Sequence, residues 1–126
     1  MLRAFAAVGT ALLLIGGAGF VSLAWAQERG APERQALTEL ARVLGESHAL
    51  RQACAGQADQ AWRDRMQALL GVEAPDADLK TRLAKAFNSG FDAGRTGFPA
   101  CDKAARAEAV RVAARGETLA ARLGSP

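Results

Sequence analysis

The two cysteines of this chain, Cys54 and Cys101, constrain its fold more than any other feature of the sequence. They are the only cysteines among 126 residues, and a bond between them would close a loop of nearly fifty residues. In an oxidising compartment, two cysteines most simply form one disulfide. Such a cross-link lowers the entropy of the unfolded chain, and an unstrained one would stabilise the fold by about 4 kcal/mol.

The N-terminal segment indicates the compartment. Met1-Leu2-Arg3 carries a positive charge, the next twenty residues carry none, and Ala24-Trp25-Ala26 places small residues at the two positions that signal peptidase reads. The pattern predicts a signal peptide over residues 1–26, cleavage after Ala26 and a periplasmic mature protein. An uncleaved membrane anchor is the alternative, because the apolar segment is just long enough to span a bilayer.

The mature chain, residues 27–126, is predicted to be a single all-α domain. Apolar residues recur at the 3.6-residue spacing of amphipathic helices, and no segment alternates with the period of two that is typical of strands. The predicted helices cover residues 33–55, about 60–70 up to Gly71, and about 101–123. Between the last two lies a third predicted helix, which Asp76 or Asp78 caps and after which Gly94, Gly97 and Pro99 break the chain. Gly45, inside the first helix, would permit a neighbouring element to approach closely.

The positions of the cysteines predict the topology. In an antiparallel bundle that runs up, down, up, down, the end of the first helix and the start of the fourth lie at the same end. Cys54 ends the first predicted helix and Cys101 begins the fourth. A disulfide between them therefore fits a small antiparallel bundle of about four helices.

His48 and Arg51 are the first candidate site. They lie one turn apart on the apolar side of the first predicted helix. A charged group there needs a carboxylate, carbonyl groups or water. The pair predicts a polar contact site near the disulfide, a satisfied structural network, or an edge position where the arginine stem packs and its charged group is in solvent. Candidate partners for the arginine are Glu46, Asp59, Glu73 and Asp102.

Two further candidates lie in the last third of the chain. Phe98 precedes Pro99 in a predicted loop near Cys101, where it would cover the disulfide or present an exposed contact. A basic strip, defined as Arg111, Arg115 and Arg122, follows one flank of the fourth predicted helix. This basic strip predicts docking of an acidic partner protein or an anionic envelope component, or else an ordinary solvated flank.

The chain lacks the residues that several classes of function require. The one histidine and the two distant cysteines do not match the spacing of zinc ligands, and there is no Cys-x-x-Cys motif and no Gly-x-Ser-x-Gly motif. The net charge of +3 and the 6% aromatic content do not favour nucleic acid. We expect no metal, no cofactor and no catalytic residue, and the sequence predicts a protein that is not an enzyme.

An ordered set of short motifs resembles one known family. The motifs are Leu44-Gly45, His48, Leu50-Arg51, Cys54, Trp62, Met66, Leu69-Leu70, Phe87-Asn88-Ser89-Gly90-Phe91, Cys101, Gly116-Glu117 and Leu119-Ala120. Together they resemble domain of unknown function 2385, a small exported family of alphaproteobacteria. The resemblance implies a periplasmic protein of unknown role and supplies no catalytic residues.

These observations predict an exported, disulfide-linked helical bundle that acts by binding, through an unknown partner in the bacterial cell envelope. One alternative is an enzyme, or an enzyme accessory, that acts on peptidoglycan. The other is a structural protein that is tethered to the membrane, which requires that the N-terminal segment is retained.

Overall fold

The computed structural model describes residues 29–124, so the predicted signal peptide, its cleavage site and the last two residues lie outside the described part. The described residues form four helices and no strand, which confirms the all-α fold class. The helices are α1 (Ala31–Ala55), α2 (Ala61–Glu73), α3 (Ala77–Gly97) and α4 (Lys103–Gly124). Across residues 29–124, no helix combines the length and the apolar character needed to span a bilayer.

Helix α1 is the centre of the molecule. The other three helices pack mainly on α1 and hardly on one another. As a result, every residue from Val43 to Leu50 is buried, including the polar side chains of Glu46, Ser47 and His48. The apolar core lies around this helix and includes Leu37, Leu40, Ala41, Leu44, Met66, Leu79, Leu83, Ala105, Val112 and Leu119.

Ion pairs and the disulfide define the helix directions. Arg34 near the start of α1 pairs with Asp76 at the start of α3, with 2.7 Å between Nη1 and Oδ2, so these two helices run parallel. Cys54 at the end of α1 is bonded to Cys101 just before α4, with 4.7 Å between the Cα atoms. This confirms the predicted disulfide and makes α4 antiparallel to α1.

Helix α3 lies directly on α1, backbone against backbone. A Cβ atom on Gly45 would overlap the carbonyl oxygen of Phe87, and one on Gly90 would overlap the carbonyl oxygen of Arg42. A Cβ atom on Gly94 would lie 2.9 Å from the Cβ atom of Ala49. The predicted close approach at Gly45 is therefore confirmed, and its partner is the glycine-rich face of α3.

Two predicted helix ends are wrong. Helix α2 continues through Gly71 to Glu73, and it ends where Ala74 adopts a left-handed conformation with φ 42°. Helix α3 continues through Gly94, so the predicted break there is wrong, and it ends at Gly97, where the other predicted break before Pro99 is confirmed. A glycine inside a helix costs only about 1 kcal/mol relative to alanine, which does not end a helix that is held by packing. The predicted cap is confirmed, because the side chain of Asp76 accepts a hydrogen bond from the N–H of Leu79 at 2.8 Å.

Candidate functional site

His48 lies where α1, α2 and α3 meet. Its side chain is almost fully buried, with 4% of its surface exposed. The imidazole ring packs beside two aromatic rings of α3, at centroid distances of 5.8 Å from Phe87 and 5.3 Å from Phe91. The close backbone contact between α1 and α3 holds these rings against the histidine, because Phe87 and Phe91 are on the turns beside Gly90.

A cleft of about 390 Å³ opens from His48 between α2 and α3. We call it the His48 cleft, and its lining residues are His48, Arg63, Met66, Gln67, Leu70, Ala84, Phe87, Asn88 and Phe91. Each of the two outer helices contributes residues at the i, i+3, i+4 and i+7 spacing of one helix face. The histidine and the methionine are buried, the leucine and the phenylalanines are half-buried, and the other four residues form an exposed rim.

The buried side chain of His48 has an unsatisfied hydrogen-bonding atom. Its Nδ1 atom is buried and has no hydrogen-bond partner among the described residues. Burial lowers the pKa of His48 below its usual value of 6.5, and the positive charge of Arg63 lowers it further, while Asp59 and Asp64 oppose this shift. The imidazole is therefore neutral at neutral pH and can both donate and accept a hydrogen bond.

Arg51 does not join the His48 cleft. Its Nε atom donates to Oδ2 of Asp59 at 2.8 Å, and about half of its side chain is exposed. This hydrogen bond and one from the N–H of Ala61 lower the pKa of Asp59. Asp59 was among the candidate partners from sequence, and the arrangement is that of a structural network at the edge of the helix.

Phe98 lies beside a second cleft. It is half-buried at the end of α3, where it packs against the apolar core. The second cleft is lined by both Phe98 and Phe91. Since Phe91 also lines the His48 cleft, the structure places His48 and Phe98 in neighbouring clefts that share one ring.

The basic strip of α4 is partly neutralised. Arg111 pairs with Glu108, with 2.7 Å between Nη2 and Oε2. The Nη2 atom of Arg115 donates to Oε2 of the buried Glu46 at 2.5 Å. Arg115 and Arg122 also line a groove of about 480 Å³ between α1 and α4.

Sequence reasoning missed the polar rim of the His48 cleft. Arg63 and Gln67 of α2 and Asn88 of α3 were not candidates, although they share helix faces with apolar residues of the cleft. The signal in the sequence is the spacing of Arg63, Met66, Gln67 and Leu70, which puts two polar residues beside two apolar ones. Within residues 29–124, no three His, Cys, Asp or Glu side chains are grouped so that they could hold a metal ion.

Comparison with models of protein families gives a match over most of the chain. A family model described as "Protein of unknown function (DUF2385)" matches residues 32–125, which includes every residue of the His48 cleft. No curated protein and no solved structure matches the chain.

Proposed function

The chain belongs to the family of proteins of unknown function DUF2385, and from this premise we propose that it is a periplasmic binding protein whose binding site is the His48 cleft. Export is supported by the signal-peptide pattern of residues 1–26. It is also supported by the bond between Cys54 and Cys101, since disulfides persist in oxidising compartments. The partner belongs to the bacterial cell envelope.

The observation that carries the binding site is the unpartnered Nδ1 atom of His48 beside a mostly apolar cleft. A buried polar atom without a partner costs about 1–3 kcal/mol, so a fold rarely keeps one without a use. The imidazole ring that carries this atom lines the cleft, so a ligand bound there lies beside the unsatisfied group. Apolar walls with a few convergent polar groups and a perturbed pKa are typical of ligand sites.

The surroundings of His48 favour binding over catalysis. A general base must lie within hydrogen-bond reach of the group it activates and is oriented by a third group. His48 instead packs against the rings of Phe87 and Phe91. The side chain of Ser89, the nearest serine along α3, accepts a hydrogen bond from Arg42 at 3.0 Å.

Mass spectrometry and cell fractionation test the export. We expect the protein in the periplasmic fraction with an intact mass that begins at Gln27. A full-length mass in the membrane fraction would instead favour the tethered protein.

Photo-crosslinking in cells tests the site without assuming a ligand. A photoreactive amino acid is placed at Asn88, on the rim of the His48 cleft, and separately at Ala107, an exposed residue of α4 that lines none of the clefts described here. We expect adducts from position 88 and none from position 107. Equal adducts at both positions, or none at position 88, would overturn the proposed site.

A further inference from the structure

We infer that the ligand of the His48 cleft is a small amphipathic carboxylic acid, whose carboxylate binds Arg63 and whose apolar part packs on Phe87 and Phe91. This inference rests on the binding role proposed above. It adds the chemical class of the ligand and the residue that selects it.

The apolar part of the ligand follows from the walls of the cleft. Phe87, Phe91 and Leu70 are half-buried, and Met66 is buried beneath them. Part of each wall side chain therefore faces the cleft, where an apolar ligand would remove it from water. The volume of about 390 Å³ is at the small end of the range for ligand pockets, so the ligand is a compact molecule.

The carboxylate of the ligand is inferred from the positive charge on the rim of the cleft. Arg63 makes no hydrogen bond or ion pair with any residue in the range 29–124, whereas Arg51 and Arg115 are both paired with acids. Arg63 is the charged residue that lines the His48 cleft. A guanidinium group binds a carboxylate through two parallel hydrogen bonds, and it disfavours a cationic ligand at the same place.

The histidine and the amides complete the head-group site. His48 lines the cleft, and a neutral imidazole has one N–H that can donate to a carboxylate oxygen. The side-chain amides of Gln67 and Asn88 stand on the same rim and supply further N–H donors. One cation with a few neutral donors suits a single negative charge.

Three probes of the same shape test the inference. They are 4-phenylbutanoate, 4-phenylbutan-1-ol and 4-phenylbutylamine, which share a phenyl ring on a four-carbon chain and carry an anionic, a neutral and a cationic head group. Binding is measured by calorimetry and by the NMR signals of His48, which is the single histidine of the chain. We expect the acid to shift the His48 signals and to bind about tenfold more tightly than the alcohol, and the amine to bind weakest.

A pair of variants on α2 identifies the selecting residue. Arg63→Gln removes the rim charge, and we expect it to weaken binding of the acid by about five- to tenfold and binding of the alcohol much less. The matched control is Arg65→Gln, because Arg65 stacks over the ring of Trp62 at 4.2 Å and does not line the cleft. The control should bind all three probes as the unchanged protein does.

Three results would overturn the inference. Equal binding of the acid and the alcohol would mean that the cleft takes apolar ligands without regard to a carboxylate, and the proposed binding role would stand. If no probe shifts the His48 signals, the ligand class is wrong, and crosslinking at position 88 decides the binding role independently. A crosslinked adduct with the mass of a protein would likewise replace the small acid with a macromolecular partner.

Discussion

Gly45 of α1 and Gly90 of α3 hold the two helices in direct backbone contact. Each glycine faces a carbonyl oxygen of the opposite helix, that of Phe87 for Gly45 and that of Arg42 for Gly90. Such contacts bring Cα–H groups against carbonyl oxygens, which adds a weak attraction to the packing. The contact also sets the position of the His48 cleft, because Phe87 is both a backbone partner of Gly45 and a wall of the cleft.

An alanine at this contact should destabilise the protein. Because a Cβ atom at Gly90 would overlap backbone rather than a flexible side chain, the helices must move apart. We expect Gly90→Ala to lower the free energy of unfolding by about 2–4 kcal/mol in urea denaturation. The control is Gly71→Ala, which has no atom within 4 Å of the added Cβ and should stabilise α2 by about 0.5–1 kcal/mol. A neutral Gly90→Ala would contradict the backbone contact.

The glycines show what the sequence could and could not predict. Spacing and the cysteines predict four helices and their order, because each helix carries its own apolar face. The role of a glycine cannot be predicted in this way. A glycine such as Gly94, within a helical pattern of apolar residues, is equally consistent with the end of a helix and with a close contact to another helix. Its actual role depends on Ala49 of another helix, which lies against it. The central position of α1 is likewise a property of the assembled core.

The same limit applies to the candidate site. His48 could be singled out because a polar residue on an apolar helix face is visible in one helix. The sequence could not identify the partner of Arg51 or the rim of the cleft, because both depend on how α2 is rotated against α1 and α3. Arg63 therefore became a candidate only when the structure placed it beside His48.

Removal of the disulfide should lower the free energy of unfolding substantially, because the domain is small. Cys54 and Cys101 are 47 residues apart in sequence, so their bond strongly restricts the unfolded chain. We expect the Cys54→Ser, Cys101→Ser double variant to lose about 4 kcal/mol in urea denaturation. The unchanged protein in excess reductant is the control and should unfold at the same urea concentration as the variant. Equal stability with and without the bond would contradict this prediction.

The ion pair between Arg115 and Glu46 should contribute more to the free energy of unfolding than the pair between Arg111 and Glu108 on α4. Glu46 is buried and is held by Arg115 at 2.5 Å and by Arg42 at 3.3 Å. We expect Arg115→Ala to cost about 1–2 kcal/mol, because it leaves a buried carboxylate with one partner. Arg111→Ala breaks an exposed pair with Glu108 and should cost at most about 0.5 kcal/mol. Thermal or urea denaturation of the two variants checks the difference, and similar losses would contradict it.

The buried His48 should make stability depend on pH in a defined window. Burial lowers its pKa below 6.5, so just below pH 6.5 the unfolded chain binds a proton that the folded chain does not. Stability from this residue is therefore complete above pH 6.5, falls as pH drops towards the folded pKa, and is constant below it. We expect His48→Phe to remove this slope, and NMR titration of His48 in the unchanged protein gives the folded pKa directly. A folded pKa at or above 6.5 would contradict the prediction.

A second titration at lower pH provides the control for the histidine. The hydrogen bond from Arg34, and then that from the N–H of Leu79, lower the pKa of Asp76 from 3.8 to about 2. Its contribution to stability is present above pH 3.8 and is lost as pH falls towards 2, below the range in which His48 begins to titrate. Asp76→Asn should therefore flatten the acid limb and leave the slope just below pH 6.5 intact. If that variant also removed the upper slope, the slope could not be assigned to His48.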